Sequence, residues 1–552
     1  MKKTLISASA ILLTTFAYAA ARTPSKTVWM NEDNQHFYDC HGDDDMSVEG
    51  CRKLVDTYAQ TGTITGILFC VNMQRALYDS DVWERFKDMP ATATYQRHLR
   101  LLSDRKVDQF KEWLGRCREL GIAGWLTMRM NDSHGLEEYQ FKLPMPKGST
   151  VQIWPSEMWR AHPEWRRAPY RHERSWEGSY NYLVPEVYEH HMKLVREILS
   201  KWDMEGLELD WLRWGMHFPP GGELEGRKVL TRFVKEVRAL ADAAERRVGH
   251  RIRLGHRVPV DPDIALRYGY DVAAWAEAGC VDMLTLSGFM AQTPDDIPVE
   301  LWRRLLRPGT VVNASCSPGR SSCLYNQVYD DVILRGNAAS AWACGVDGLY
   351  LFNQCYREPA HLAELEDYLL DICSQENNLR CTRRIAAGAP EPLPGYALRH
   401  LFPYPLAPRF IGCSMARMDR NVTIRLTTGP VLPGSTCTLT LCFDKDAEAD
   451  QLKDLPVRVN TRPCAFVRRI DLDLSRIDQS KPFVRSGEWP RDAKTVLEFA
   501  VPADALHARE NAIELLPPEG AKGNVIWADI AIAGKPVRPL PGEDGATSCI
   551  SR

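Results

Sequence analysis

The sequence predicts an α/β chain, a (β/α)8 TIM barrel followed by a C-terminal all-β sandwich. Three observations point there. From about residue 26 to 375, short apolar runs alternate with helical patterns; eight of those runs qualify as strands; beyond about residue 409 the helices stop and period-two alternation takes over.

The strand candidates are 27–31, 64–72, 122–131, 206–213, 251–258, 281–288, 310–315 and 348–353. Eight is the number a closed barrel needs, and a long series of strand–helix units implies a parallel sheet. A doubly wound open sheet is the alternative. No GxGxxG or GxxxxGK[ST] follows any of these strands, which weighs against it. One helix is predicted over 105–120, with Val107, Phe110, Trp113, Leu114, Cys117 and Leu120 on one stripe, Asp104 as its cap and Gly121 as its stop. A second carries Val187, Leu194, Val195, Ile198, Leu199 and Trp202, and a third Leu230, Phe233, Val234, Val237 and Leu240.

Between the third and fourth strands lies an insertion, 133–185, that holds Trp154, Trp159, Trp165 and Trp176. Aromatic rings there form a wall on which sugar C–H faces stack, or else a self-packed cap. Residues 376–408 read as a Pro-rich linker, and 409–540 as an accessory β-sandwich.

Lys2 and Lys3 precede an apolar stretch from about 5 to 16, followed by Ala17-Tyr18-Ala19, so residues 1–19 are expected to be a cleavable signal peptide. No Cys stands at the cleavage region, and the expected destination is the periplasm or the medium, without membrane insertion after cleavage. An oxidising compartment makes Cys40–Cys51, Cys316–Cys323 and Cys373–Cys381 local disulfide candidates, whereas Cys70, Cys280 and Cys344 read as buried thiols. The net charge of −3 lacks the basic excess of a nucleic-acid binder. No cofactor or metal is expected: there is no CxxC pair and no HExxH, and His190-His191 fall mid-helix where a surface position is expected.

The chemistry centres on Gly206-Leu207-Glu208-Leu209-Asp210-Trp211-Leu212-Arg213. Leu207, Leu209 and Trp211 are expected to face the outer helices. Glu208 and Asp210 then face the barrel axis, ~6.5–7 Å apart along the strand. Buried acids cost free energy unless paired. As a catalytic pair, Asp210 near the rim is the nucleophile or base and Glu208 tunes it; as structural groups, they form Glu208–Arg129 or Asp210–Arg213 ion pairs.

Asn31, Asn72, Asn131, Asn313 and Asn353 fall at C-terminal strand ends, where amides suit neutral hydroxyls. Any single one is more often a turn or cap residue. Arg129, Arg213, His217, His256 and Arg257 bring positive charge to the same rim. They serve either an anionic substituent such as a uronate or sulfate, or the site carboxylates themselves.

The 206–213 strand resembles the fourth strand of the glycosyl-hydrolase-like family 10 proteins, D-G-[I/L]-x-[L/F]-D-[W/F/Y]-x-R. His162-Pro163-Glu164-Trp165, Asn181-Tyr182, His256-Arg257-Val258-Pro259 and Tyr270-Asp271-Val272-Ala273-Ala274-Trp275 support it. The resemblance covers about 150–290 and implies an exported TIM-barrel hydrolase; Glu205 replaces the pattern's usual Asp. The strand also resembles the chitinase motif D-G-x-D-x-D-x-E, but Leu212 occupies the position of its acid.

The expected function is hydrolysis of O-glycosidic bonds in a polysaccharide or oligosaccharide, with carbohydrate as the partner. Asp210 and Glu208 are the expected catalytic residues. Asn31, Asn72, Arg129, Asn131, Asp132, Arg213, His256, Arg257, Asn353, Trp154 and Trp165 are expected around the substrate. Such enzymes usually use two carboxyls, and Glu208, Asp132, Glu164, Asp261 and Asp295 compete for the second role. The alternative is a carbohydrate-binding barrel without catalysis.

Overall fold

The computed structural model describes residues 27–60, 62–89, 93–133, 136, 155–170, 175–288, 297–316, 319–320, 327–329, 331–352, 379–384, 418–419, 421–431, 434–473, 483–484 and 493–533. The expected signal peptide, Trp154, Asp295 and Asn353 lie outside them, as do Cys323, Cys373 and the side chain of Cys40.

Eight parallel strands close into a barrel in chain order. They are β1 (Thr27–Glu32), β2 (Gly66–Cys70), β3 (Ala123–Arg129), β4 (Gly206–Asp210), β5 (Arg253–Pro259), β6 (Met283–Ser287), β7 (Val311–Cys316) and β8 (Gly348–Phe352). Each begins within two residues of its sequence-predicted start. Alternation is what makes them strands: Leu207, Leu209 and Trp211 pack into the helix-side core, as expected.

The expected helix over 105–120 starts four residues later, at Gln109, with a separate helix before it. Thr94–Asp104 ends first, Lys106 adopts a left-handed φ of 56°, and Gln109–Leu120 starts afresh under Asp108, whose side chain accepts from the Lys111 amide. A positive φ at a non-glycine residue breaks the hydrogen-bond ladder, so the cap moves from Asp104 to Asp108. Pro185–Lys201 and Glu223–Val248 bury the predicted stripes, except that Leu240 is half-buried and Trp202 is buried just past the helix end. His190 and His191 depart from expectation. His191 is buried, and His190 stacks on Trp83 at 4.2 Å.

Strand registers set the layers inside the barrel. Each neighbour steps by about one residue at constant height, a shear of about eight. Alternate strands therefore contribute four side chains per layer. The floor holds Trp29, Trp125, Gly255 and Asn313, and above it come Leu68, Glu208, Thr285 and Tyr350. Next come Asn31, Thr127, Arg257 and Ser315, then Cys70, Asp210, Ser287 and Phe352. The two floor indoles meet edge to face, centroids 5.5 Å apart. They fill the space that side chains at their glycine neighbours would occupy: a Cβ on Gly66 would fall 2.2 Å from Trp29, and one on Gly206 2.4 Å from Trp125.

The C-terminal module contains two antiparallel sheets. In the first, Leu379–Arg384, Val525–Ala533, Thr436–Phe443, Thr495–Val501 and Ala465–Asp471 lie side by side; in the second, Val422–Thr427, Glu510–Leu515, Val457–Val459 and Arg462–Pro463. Ile424, Leu439, Ile513 and Ile530 join both sheets in one core, the sandwich predicted. An edge strand, 379–384, comes from within the expected linker.

Candidate active site

Glu208 and Asp210 both enter the lumen, as alternation requires, but Asp210 does not meet solvent at the rim. It is 2% exposed, and its oxygens are engaged by Arg257: Nε to Oδ1 at 2.8 Å and Nη2 to Oδ2 at 2.9 Å. The Leu212 amide adds a third bond to Oδ1 at 3.0 Å. Arg257, on the neighbouring strand, lies opposite Asp210 in register, which is why the fork meets the carboxylate squarely. The expected Asp210–Arg213 pair is thus replaced by Asp210–Arg257.

Glu208 lies two layers deeper and is fully buried. Its Oε1 accepts from Thr127 and from Tyr350, each at 2.8 Å, rather than from Arg129 as expected. Its Oε2 meets no protein donor. Burial, and then the negative charge of Asp210, push the carboxyl up to about 7, against the hydrogen bond from Tyr350 and the charge of Arg257.

Arg129 closes the other side of the rim. Its guanidinium reaches Asp132 at 2.7 Å and Asp33 at 2.6 Å, and Arg213 approaches the same Asp33 oxygen at 3.6 Å. Burial penalises Arg129's charge, but its carboxylate neighbours outweigh that and lift its proton affinity; Arg213, buried beside Arg129, is lowered. The guanidiniums of Arg257 and Arg213 lie 4.7 and 5.1 Å from the Phe352 ring centroid.

The remaining candidates divide. Asn31 enters the lumen, and its Oδ1 meets no protein partner. Asn72 instead ties β2 to β3: its Oδ1 accepts from the Arg129 amide, and its Nδ2 donates to the Arg129 carbonyl, both at 3.0 Å. Asn131 clamps the insertion, bonding the Tyr180 amide and carbonyl and the Met216 carbonyl. His256 points outward, where it accepts from the Trp211 indole N–H at 3.2 Å; burial pushes it down to about 4. Trp165 stacks on His162 at 3.6 Å and lines a groove of about 680 Å³ along the Pro185–Lys201 helix, away from the lumen. Of the competing acids, Glu164 is exposed beside His162 and Asp261 caps the Pro262–Arg267 helix.

Asp33, Thr127, Ser287 and Tyr350 belong to the site and were not singled out from sequence. Asp33 follows the strand-end Asn31 by two residues, a polar run that marked it. Tyr350 carried no signal, because β8 alternates apolar with aromatic residues and either face reads as core. Among the described residues, no group of three or more His, Cys, Asp and Glu converges as a metal requires. Cys51 is a buried free thiol, so it forms no bridge to Cys40.

No family model matches the chain, and no curated protein matches it. Similar solved structures include α-L-fucosidase isoenzyme 2 from Paenibacillus thiaminolyticus, 14% identical over 66% of this chain and 51% of that one, with a TM-score of 0.40. The PgaB (BpsB) glycoside hydrolase domain from Bordetella bronchiseptica is 12% identical over 62% of this chain and 98% of that domain, with a TM-score of 0.37. The chain spans about half the length of the fucosidase, covering 51% of it. These neighbours are glycoside hydrolases by name; at such identities and scores the likeness carries no argument, and the barrel rests on its own strand ladder.

Proposed function

We propose that the chain is an exported, periplasmic or secreted, glycoside hydrolase that cleaves O-glycosidic bonds in a polysaccharide or oligosaccharide. The supporting observation is the pair of β4 carboxyls in different surroundings: Asp210 locked as the partner of Arg257, and Glu208 pushed up to about 7 beneath it. A fixed anion stabilises the positive charge that develops at the anomeric carbon of an oxocarbenium-like transition state. A proton on Glu208 leaves the Asp210–Arg257 pair balanced, so Glu208 acts by tuning Asp210. The resemblance of 206–213 to the glycosyl-hydrolase-like family 10 strand supports the same reading.

The test is a polysaccharide screen with the purified mature protein and Asp210→Asn. Turnover falls at least ~100-fold in the variant while circular dichroism stays unchanged; turnover equal to wild type refutes the role. Mass spectrometry of the exported protein tests the leader, with a mature N-terminus expected near Ala20.

A non-catalytic carbohydrate-binding barrel is the second reading. The engagement of both Asp210 oxygens by Arg257 favours it, since it occupies the lone pairs a nucleophile or base needs. Saturable glycan binding by wild type without product in the same screen selects it.

A further inference from the structure

We propose that Asp33 is a specificity-determining residue: it neutralises the arginines of the rim, so that the site admits neutral glycans and rejects anionic ones. The inference rests on the carbohydrate reading above and deepens it.

Arginines at a site mouth ordinarily signal an acidic ligand, because a planar fork matches carboxylate, sulfate or phosphate. Here each guanidinium of the rim already faces a protein carboxylate. Arg257 is held bidentately by Asp210, Arg129 bridges Asp132 and Asp33, and Arg213 lies 3.6 Å from that same Asp33 oxygen. Three cations meet three anions, and all six residues are at most 6% exposed. A further anion here displaces a buried carboxylate or adds a like charge beside it, and both are costly at low dielectric.

Asp33 carries most of this balance, because one oxygen serves two guanidiniums. It follows β1 by a single residue, which places it between the ends of β3 and β4 and within reach of both arginines.

What the barrel still offers a ligand is neutral apart from Glu208 and one N–H of Arg129. Asn31 Oδ1, Ser315 Oγ and Thr285 Oγ1 are buried without a protein partner, and Arg129 Nε keeps one N–H without an acceptor. Amides and hydroxyls that both donate and accept match sugar hydroxyls.

The experiment follows thermal unfolding of the full chain in sodium sulfate against sodium chloride at matched ionic strength. It then measures binding of neutral oligosaccharides and their uronic-acid counterparts. Wild type shows only the general, non-saturating stabilisation that sulfate gives any fold, with no saturable gain, and prefers the neutral series. Asp33→Asn binds sulfate at least about tenfold more tightly than wild type and gains affinity for the uronates. Asp132→Asn, which releases the other contact of Arg129, gives the same gain and covers the case in which Asp33→Asn does not fold. Wild-type binding of sulfate or uronate as tight as in the variants overturns the proposal, as does failure of both folded variants to gain it. If wild type binds no sugar while the variants acquire sulfate, the carbohydrate reading falls and the charge assignment stands.

Discussion

Glu208 and Asp210 sit two layers apart on one strand, yet their neighbours treat them in opposite ways. Arg257 surrounds Asp210 with positive charge, while Glu208 receives only hydroxyl donors. Glu208 is pushed up to about 7, above an unfolded value of about 4.3. The buried neutral form therefore stabilises the fold fully below about pH 4.3, and that contribution fades as pH rises toward about 7. Urea midpoints at about pH 5 and about pH 8 are expected to fall with pH in wild type and to change less in Glu208→Gln. Tyr350→Phe removes a donor that holds Glu208 down, so infrared titration of the carboxyl is expected to move to higher pH; an unmoved titration denies Tyr350 that role. Arg257→Met leaves Asp210 buried without its cation and is expected to cost about 3–5 kcal/mol in urea unfolding. The sequence exposed this site by halves. Alternation aimed both acids inward correctly, but spacing along one strand says nothing about which cation a neighbouring strand brings opposite, so Arg213 was expected where Arg257 stands.

Strands were more legible than helices because β4 and its neighbours need only a short apolar alternation, which a turn cannot imitate. The helix expected from 105 was started too early. Lys106 with its left-handed φ of 56° and the extended Asp108 hold the chain out of helix until Gln109. Gly206 shows the reverse case, a residue explained only by its neighbour. It opens β4 as a glycine because Trp125 lies across its place, and an added Cβ would meet the ring at 2.4 Å. Gly206→Ala is expected to cost about 1–3 kcal/mol, and to cost less in a Trp125→Phe background; equal costs in both backgrounds remove the steric explanation.

Across the whole molecule, barrel and sandwich share atoms as well as a chain. Ala339, on the barrel helix Asp331–Ala343, packs into the sandwich core, and Ser340 Oγ donates to the Thr427 carbonyl at 2.7 Å. Arg509 pairs with Glu300 at 2.9 Å. A Cβ on Gly429 would lie 2.7 Å from Ala339, so Gly429→Val is expected to pry the modules apart. Calorimetry then resolves two transitions where wild type shows one; a single shifted transition speaks against the coupling. None of these contacts was legible beforehand, since they join residues whose sequence positions carry no mark of each other. The crossed indoles at the barrel floor bear on traffic. They plug the barrel from below, and the inward layers above them are each at most 7% exposed, so the interior is a packed column with no passage through it. Whatever reaches this end of the barrel is met at the rim and leaves by the rim.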